Sequence, residues 1–151
     1  MKWVNHKLVT GVLVYAGTGS ILYAACSVVG SVLPDRLEGR PPKEKKAYWK
    51  WRSRHRKNTH WLPPYLAAAA ALLYVGEAGI LTGIWAQAVM LPAFVAAGGA
   101  LHILEDSVCG KVPLIMRRKR IGVRVFRVGS AWEYFISYTI CLMALYYKFM
   151  M

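Results

Sequence analysis

Long apolar stretches alternate along this chain with short, strongly polar ones, and the alternation predicts helices. Crossing ~30 Å of hydrocarbon takes roughly 20 largely apolar residues. Leu62 to Leu81 meets that length, with an alanine run from Ala67 to Ala71 and a single acid, Glu77. Ile84 to Leu104 meets it too, with Pro92 and Gly98-Gly99 placed to bend it. Ala131 to Met151 is the third such stretch, with Glu133 and Lys148 near its ends. Only Thr82-Gly83 separates the first two, which predicts a tight helical hairpin. Leu8 to Leu33 is long enough as well, but Gly17-Thr18-Gly19-Ser20 interrupts it. It reads either as one span or as a re-entrant pair of half-helices, whose turn other helices would have to bury. The expectation is an all-α integral membrane protein: one domain over residues 1–151, with three transmembrane helices plus an N-terminal re-entrant hairpin or fourth span.

Composition supports a membrane class. Hydrophobic residues make up 56% of the chain and the mean hydropathy is +0.32, above the usual apolar share of soluble domains. The charge is segregated. Pro34 to Trp61 holds ten Lys and Arg, and Glu105 to Ser130 holds seven, out of twenty in all. Basic loops stay on the cytoplasmic side, so both segments are expected there. Tyr48, Trp49, Trp51, Trp61, Tyr65 and Trp132 flank them as an interfacial belt would. Three cysteines without paired spacing argue against a disulfide framework or a CxxC metal site.

The four histidines change the picture. His6, His55, His60 and His102 lie in the polar patterns NHKLVTG, HRKNTH and HILED, and a fourth pattern reads LPDRLEG. Imidazole with carboxylate is a ligand set for zinc first, with manganese or iron as alternatives. His102 and Asp106 are four apart, so a helix puts both on one face. His55 and His60 are five apart, which does not stack on a helix and puts one of them on a turn. Thr59 is placed to cap a helix or to orient a ligand. Asp35 follows Leu33-Pro34, where a helix should end. His6 joins the others only if Leu8 to Leu33 returns to the side from which it starts. Two or three histidines with one or two aspartates make a site with a position open to water, whose pKa a bound metal lowers.

The order LPD (Leu33–Asp35), HRxxTH (His55–His60), HxxxD (His102–Asp106) before Val112-Pro113-Leu114, and GSxxE (Gly129–Glu133) resembles the YdjM-type family of inner-membrane metal-dependent hydrolases. The likeness covers nearly the whole chain. It implies a metal held by His6, Asp35, His55, His60, His102 and Asp106, with Glu133 nearby, in a multi-pass protein of the bacterial inner membrane. One element departs from the family pattern. LPDxDH would carry a second aspartate and a histidine where this chain has Leu37 and Glu38. That leaves open a one-metal site, or a member without hydrolytic activity.

Two function classes follow. The first is a membrane-bound metal-dependent hydrolase cleaving an ester or phosphoester of an amphiphilic, lipid-like substrate at the cytoplasmic face. Asp35, Glu38 or Glu133 would serve as its general base, and Arg54, Arg56, Arg117, Arg118, Arg124 or Arg127 would meet phosphate or anionic lipid. The second is a non-catalytic assembly subunit that keeps a structural metal and packs on membrane-protein partners or on copies of itself. Aromatic residues interleaved with Lys and Arg also suit single-stranded nucleic acid. The membrane reading accounts for the same residues, so nucleic acid is not the expected partner.

Overall fold

The computed structural model describes residues 1–150, and seven helices make up its regular structure: α1 (Trp3–Thr18), α2 (Ile21–Gly30), α3 (Leu33–Glu38), α4 (Lys45–Arg54), α5 (Leu62–Glu77), α6 (Ile84–Cys109) and α7 (Ala131–Met150). An isolated antiparallel bridge joins Val112 to Ile121. The chain is all-helical, but the expectation of three spans plus a hairpin or fourth span is corrected. Among the described residues, only α6 is long and apolar enough to cross a membrane.

Each shortfall has a physical cause. Leu8 to Leu33 breaks because Gly19 caps α1 in the left-handed conformation at φ 72°, and Ser20 then caps α2 by accepting from the Tyr23 amide. α5 stops at Glu77 after 16 residues, which at 1.5 Å per residue is about 24 Å. α7 has the length, but Glu133, Lys148 and four tyrosines dilute its apolar character. Pro92 lies inside α6 without ending it.

α6 is the central helix. It packs on α5, α2 and α1, and α1 packs in turn on α2 and α7. The α2–α6 contact is unusually close: a Cβ on Gly98 would lie 2.0 Å from the Ser27 carbonyl oxygen. Small residues permit that approach. Leu62, Ala100, Ile103 and Val112 form a buried core, flanked by Tyr65 and Leu114. Full burial of a side chain such as Ile103 contributes roughly 1.5–3 kcal/mol. Beyond α6 the backbone doubles back over the helix end, where the Val123 amide donates to the Ser107 carbonyl (2.8 Å) and the Val125 amide to that of Val108 (3.0 Å). The start of α1, all of α3, the start of α5, the end of α6 and the start of α7 thereby share one end of the bundle.

Candidate metal centre

Five of the six expected ligands meet at that end. α1 supplies His6, α3 supplies Asp35, the turn before α5 supplies His60, and the last turns of α6 supply His102 and Asp106. His6, His60, His102 and Asp106 are fully buried. The Asp35 side chain keeps 21% of its surface exposed.

The ring nitrogens fall into two sets. His102 Nδ1 donates to the Ser31 carbonyl at 2.6 Å. His6 Nδ1 pairs with the Glu105 carboxylate, which also accepts from Thr10 Oγ1 at 2.9 Å. His60 Nδ1 meets Thr59 Oγ1 at 3.0 Å. All three Nε2 atoms therefore turn inward. Outer partners of this kind fix the tautomer and aim of a metal-binding histidine.

The inward atoms have ligand spacing. His60 Nε2 lies 3.2 Å from His102 Nε2, 3.3 Å from Asp35 Oδ1 and 3.5 Å from Asp106 Oδ2. His102 Nε2 lies 3.7 Å from each of the same two carboxylate oxygens. Atoms 2.0–2.2 Å from a tetrahedral zinc sit roughly 3.3–3.6 Å apart. His6 Nε2 and Asp106 Oδ2 are buried without hydrogen-bond partners, a costly condition that a cation relieves. The donor set thus fits a divalent ion. Asp106 Oδ1 is served differently: it accepts from Arg56 Nη2 at 2.8 Å and from the Met1 amino group at 2.6 Å, and His6 Nε2 lies 3.3 Å away.

The same field acts on protons. Burial disfavours charge on His60, but the neighbouring Asp106 and Asp35 carboxylates raise its pKa above the ordinary value. Burial likewise opposes ionisation of Asp35. The His60 ring and the Trp3 indole, which donates to Oδ2 at 2.6 Å, nonetheless hold its carboxyl well below the usual range.

The ligand atoms fall into two groups that share His102, one with His6 and Asp106 and one with Asp35 and His60, and His55, expected as a ligand, lies outside both. Its Nδ1 meets Glu38 Oε2 at 2.7 Å and its ring stacks on Trp51. The turn places it there: His55 ends α4, and Arg56 takes a left-handed φ of 57°. That conformation costs a non-glycine residue of order 1–3 kcal/mol. It lets the Arg56 amide donate to Glu38 Oε1 at 2.8 Å while the guanidinium reaches Asp106. Glu38 is accordingly engaged as an anchor for this turn. Glu133 has no hydrogen bond or ion pair with any of the five clustered residues. It accepts from the Lys2 amide (2.6 Å), Asn5 Nδ2 (2.7 Å) and the Gly129 amide, and so ties α1 to α7.

A cavity of about 1180 Å³ opens beside the cluster, with Asp35 in its wall. Lys2, Arg52, Arg56, Lys111, Arg120, Arg124 and Arg127 line it. Of the arginines expected to meet phosphate, Arg56, Arg124 and Arg127 line this cavity. Arg54 lies in a separate, smaller pocket, and Arg117 covers the Trp61 ring at 4.7 Å. Arg118 lines none of these pockets. Sequence reasoning missed Arg52, Lys111, Arg120 and Glu105. For Glu105 a signal existed: His6 and Thr10 are four apart on α1, one face carrying two groups for a single carboxylate. No family model, curated protein or solved structure matches the chain.

Proposed function

We propose that the protein is a metal-dependent hydrolase of phosphoesters on amphiphilic substrates. The observation that carries this reading is Asp35, which belongs to the buried ligand cluster and to the wall of a cavity lined by seven cationic side chains. A divalent ion held by His60, His102, Asp35 and Asp106 would supply Lewis-acid polarisation and a water of lowered pKa. The cationic side chains would hold the phosphoryl group and offset its charge. Asp35, the partly exposed member, is the ligand that faces the cavity, so substrate would meet the ion beside it. Leu37 stands where the resembled family has a second aspartate, and its side chain is 63% exposed. A single ion is therefore the reading here, with His6 and Arg56 supporting Asp106 from its other oxygen.

The reading includes membrane association, with the cluster on the side of the basic segments. Trp132, Phe135, Leu142, Met143, Tyr146 and Phe149 are exposed along α7, as are Ile84 and Trp85 on α6. Apolar surface on that scale is what a lipid or protein partner covers. A second reading, a non-catalytic subunit with a structural ion, is favoured by the full burial of His6, His60, His102 and Asp106.

The test is hydrolysis of short- and long-chain phosphomonoesters and phosphodiesters in mixed micelles with zinc, manganese or magnesium. Metal-dependent turnover that Asp35→Asn and His60→Ala abolish is the expected result. Protein that binds metal near stoichiometry yet cleaves no ester with any ion would exclude the hydrolase and leave the structural subunit.

A further inference from the structure

The cavity holds more positive charge than one phosphate group can offset. Among the described residues, Arg56 is the only one of its seven cations in an ion pair with a carboxylate. Lys2 lies over the Tyr134 ring and Arg120 donates to the His55 carbonyl, neither of which neutralises charge. Among the described residues, Arg52, Lys111, Arg124 and Arg127 have no salt-bridge partner, and Asp35 is the only carboxylate in the lining. Like charges gathered around one concavity repel. They focus a field that selects an anion of matching charge.

These cations come from separate segments of the chain that meet around the cavity. Arg52 and Arg56 belong to α4 and the turn after it, the side of Asp35 and His55. Arg124 and Arg127 belong to the returning segment, fixed against the end of α6 by the Val123 and Val125 amides and leading into α7. Lys2 is held near that returning segment, because its amide and the Gly129 amide share the Glu133 carboxylate. Lys111 and Arg120 flank the bridge between Val112 and Ile121.

We infer that the cavity binds a diphosphate or bis-phosphorylated headgroup. One phosphate faces Asp35 between Arg52 and Arg56, and the other is held by Lys2, Arg124 and Arg127. This rests on the hydrolase reading only for which phosphate faces the metal cluster. Binding itself requires neither metal nor turnover.

The test is calorimetric titration of detergent-purified protein, stripped of metal, with inorganic pyrophosphate and with orthophosphate at equal ionic strength. Pyrophosphate should bind at least tenfold more tightly. Arg124→Ala with Arg127→Ala should bring that ratio close to one while changing orthophosphate affinity by less than threefold. Both side chains are exposed, so their loss should leave the fold intact. Arg117→Ala with Arg118→Ala removes the same charge outside the cavity and should leave the ratio unchanged. Equal affinities in the wild type, or an equal fall of the ratio in the outside pair, would overturn the proposal. Selective pyrophosphate binding in a protein that cleaves nothing would support it while refuting the hydrolase.

Discussion

His60 Nε2 and His102 Nε2 face each other at 3.2 Å in a fully buried setting, although 42 residues separate them in the chain. His102 donates from Nδ1 to the Ser31 carbonyl, so the neutral ring offers a lone pair at Nε2. A proton on His60 or a metal ion must lie between the two rings. Asp35 Oδ1 and Asp106 Oδ2 each lie within 3.7 Å of both Nε2 atoms, so a divalent ion between the rings is met by carboxylate as well. Detergent-purified protein should therefore carry close to one divalent ion per chain by elemental mass spectrometry. His60→Ala should lose it, whereas His55→Ala should keep most of it, because His55 is turned to Glu38.

The Glu105 carboxylate orients His6 from behind. Glu105→Gln keeps the shape but removes the charge that fixes the ring tautomer. Loss of such an outer partner typically costs 10–100-fold in metal affinity or activity. A competition titration against a chromophoric chelator should show a fall of about that size if His6 acts on the ion through Asp106 or directly. An unchanged affinity would remove His6 from the metal centre.

Much of this centre was legible in the sequence because its parts are local. The four-residue spacing of His102 and Asp106 predicted a shared helix face, and the five-residue spacing of His55 and His60 predicted a turn. The choice between those two histidines was not legible. It depends on the left-handed φ of Arg56, which sends His55 to Glu38 and leaves His60 facing α6. The membrane-span expectation failed for a related reason: an apolar window does not say where a helix stops. Left-handed glycines end two helices early, Gly19 after α1 and Gly79 just beyond α5, and the tyrosines of α7 count as aromatic yet make that helix less apolar. The cationic cavity was half legible. Charge in the sequence points to Arg124 and Arg127, whereas Arg52, Lys111 and Arg120 reach it through the path of the backbone.

Close approach of α2 to α6 should be expensive to disturb. A methyl group on Gly98 would overlap the Ser27 carbonyl, and α2 leads directly to Ser31, which holds His102. Gly98→Ala should destabilise the fold by about 1–3 kcal/mol, as overpacking does, and weaken metal binding as Ser31 is displaced. Gly17→Ala is the control. It lies inside α1 with open space around its Cβ position. Alanine there should be neutral or stabilise by roughly 0.5–1 kcal/mol. Thermal unfolding of both variants, with and without added zinc, checks the contrast.

Glu133 gives a pH dependence with a definite sign. Burial opposes its ionisation, but the Lys2 and Gly129 amides and the Asn5 side chain hydrogen-bond the charged form and hold its pKa below the ordinary 4.5. The folded protein therefore binds this proton less readily than the unfolded chain does, and stability from this group rises with pH. The contribution is fully present above about 4.5, the unfolded value, and is lost as the pH falls from there through the lowered folded-state value. Glu133→Gln should cost about 1–3 kcal/mol at neutral pH, the range for unsatisfied partners of a buried charged acceptor. Denaturant melts of the two proteins should converge as the pH drops below 4.5. A gap that stays constant across that window would show that Glu133 joins α1 to α7 by shape rather than by its charge.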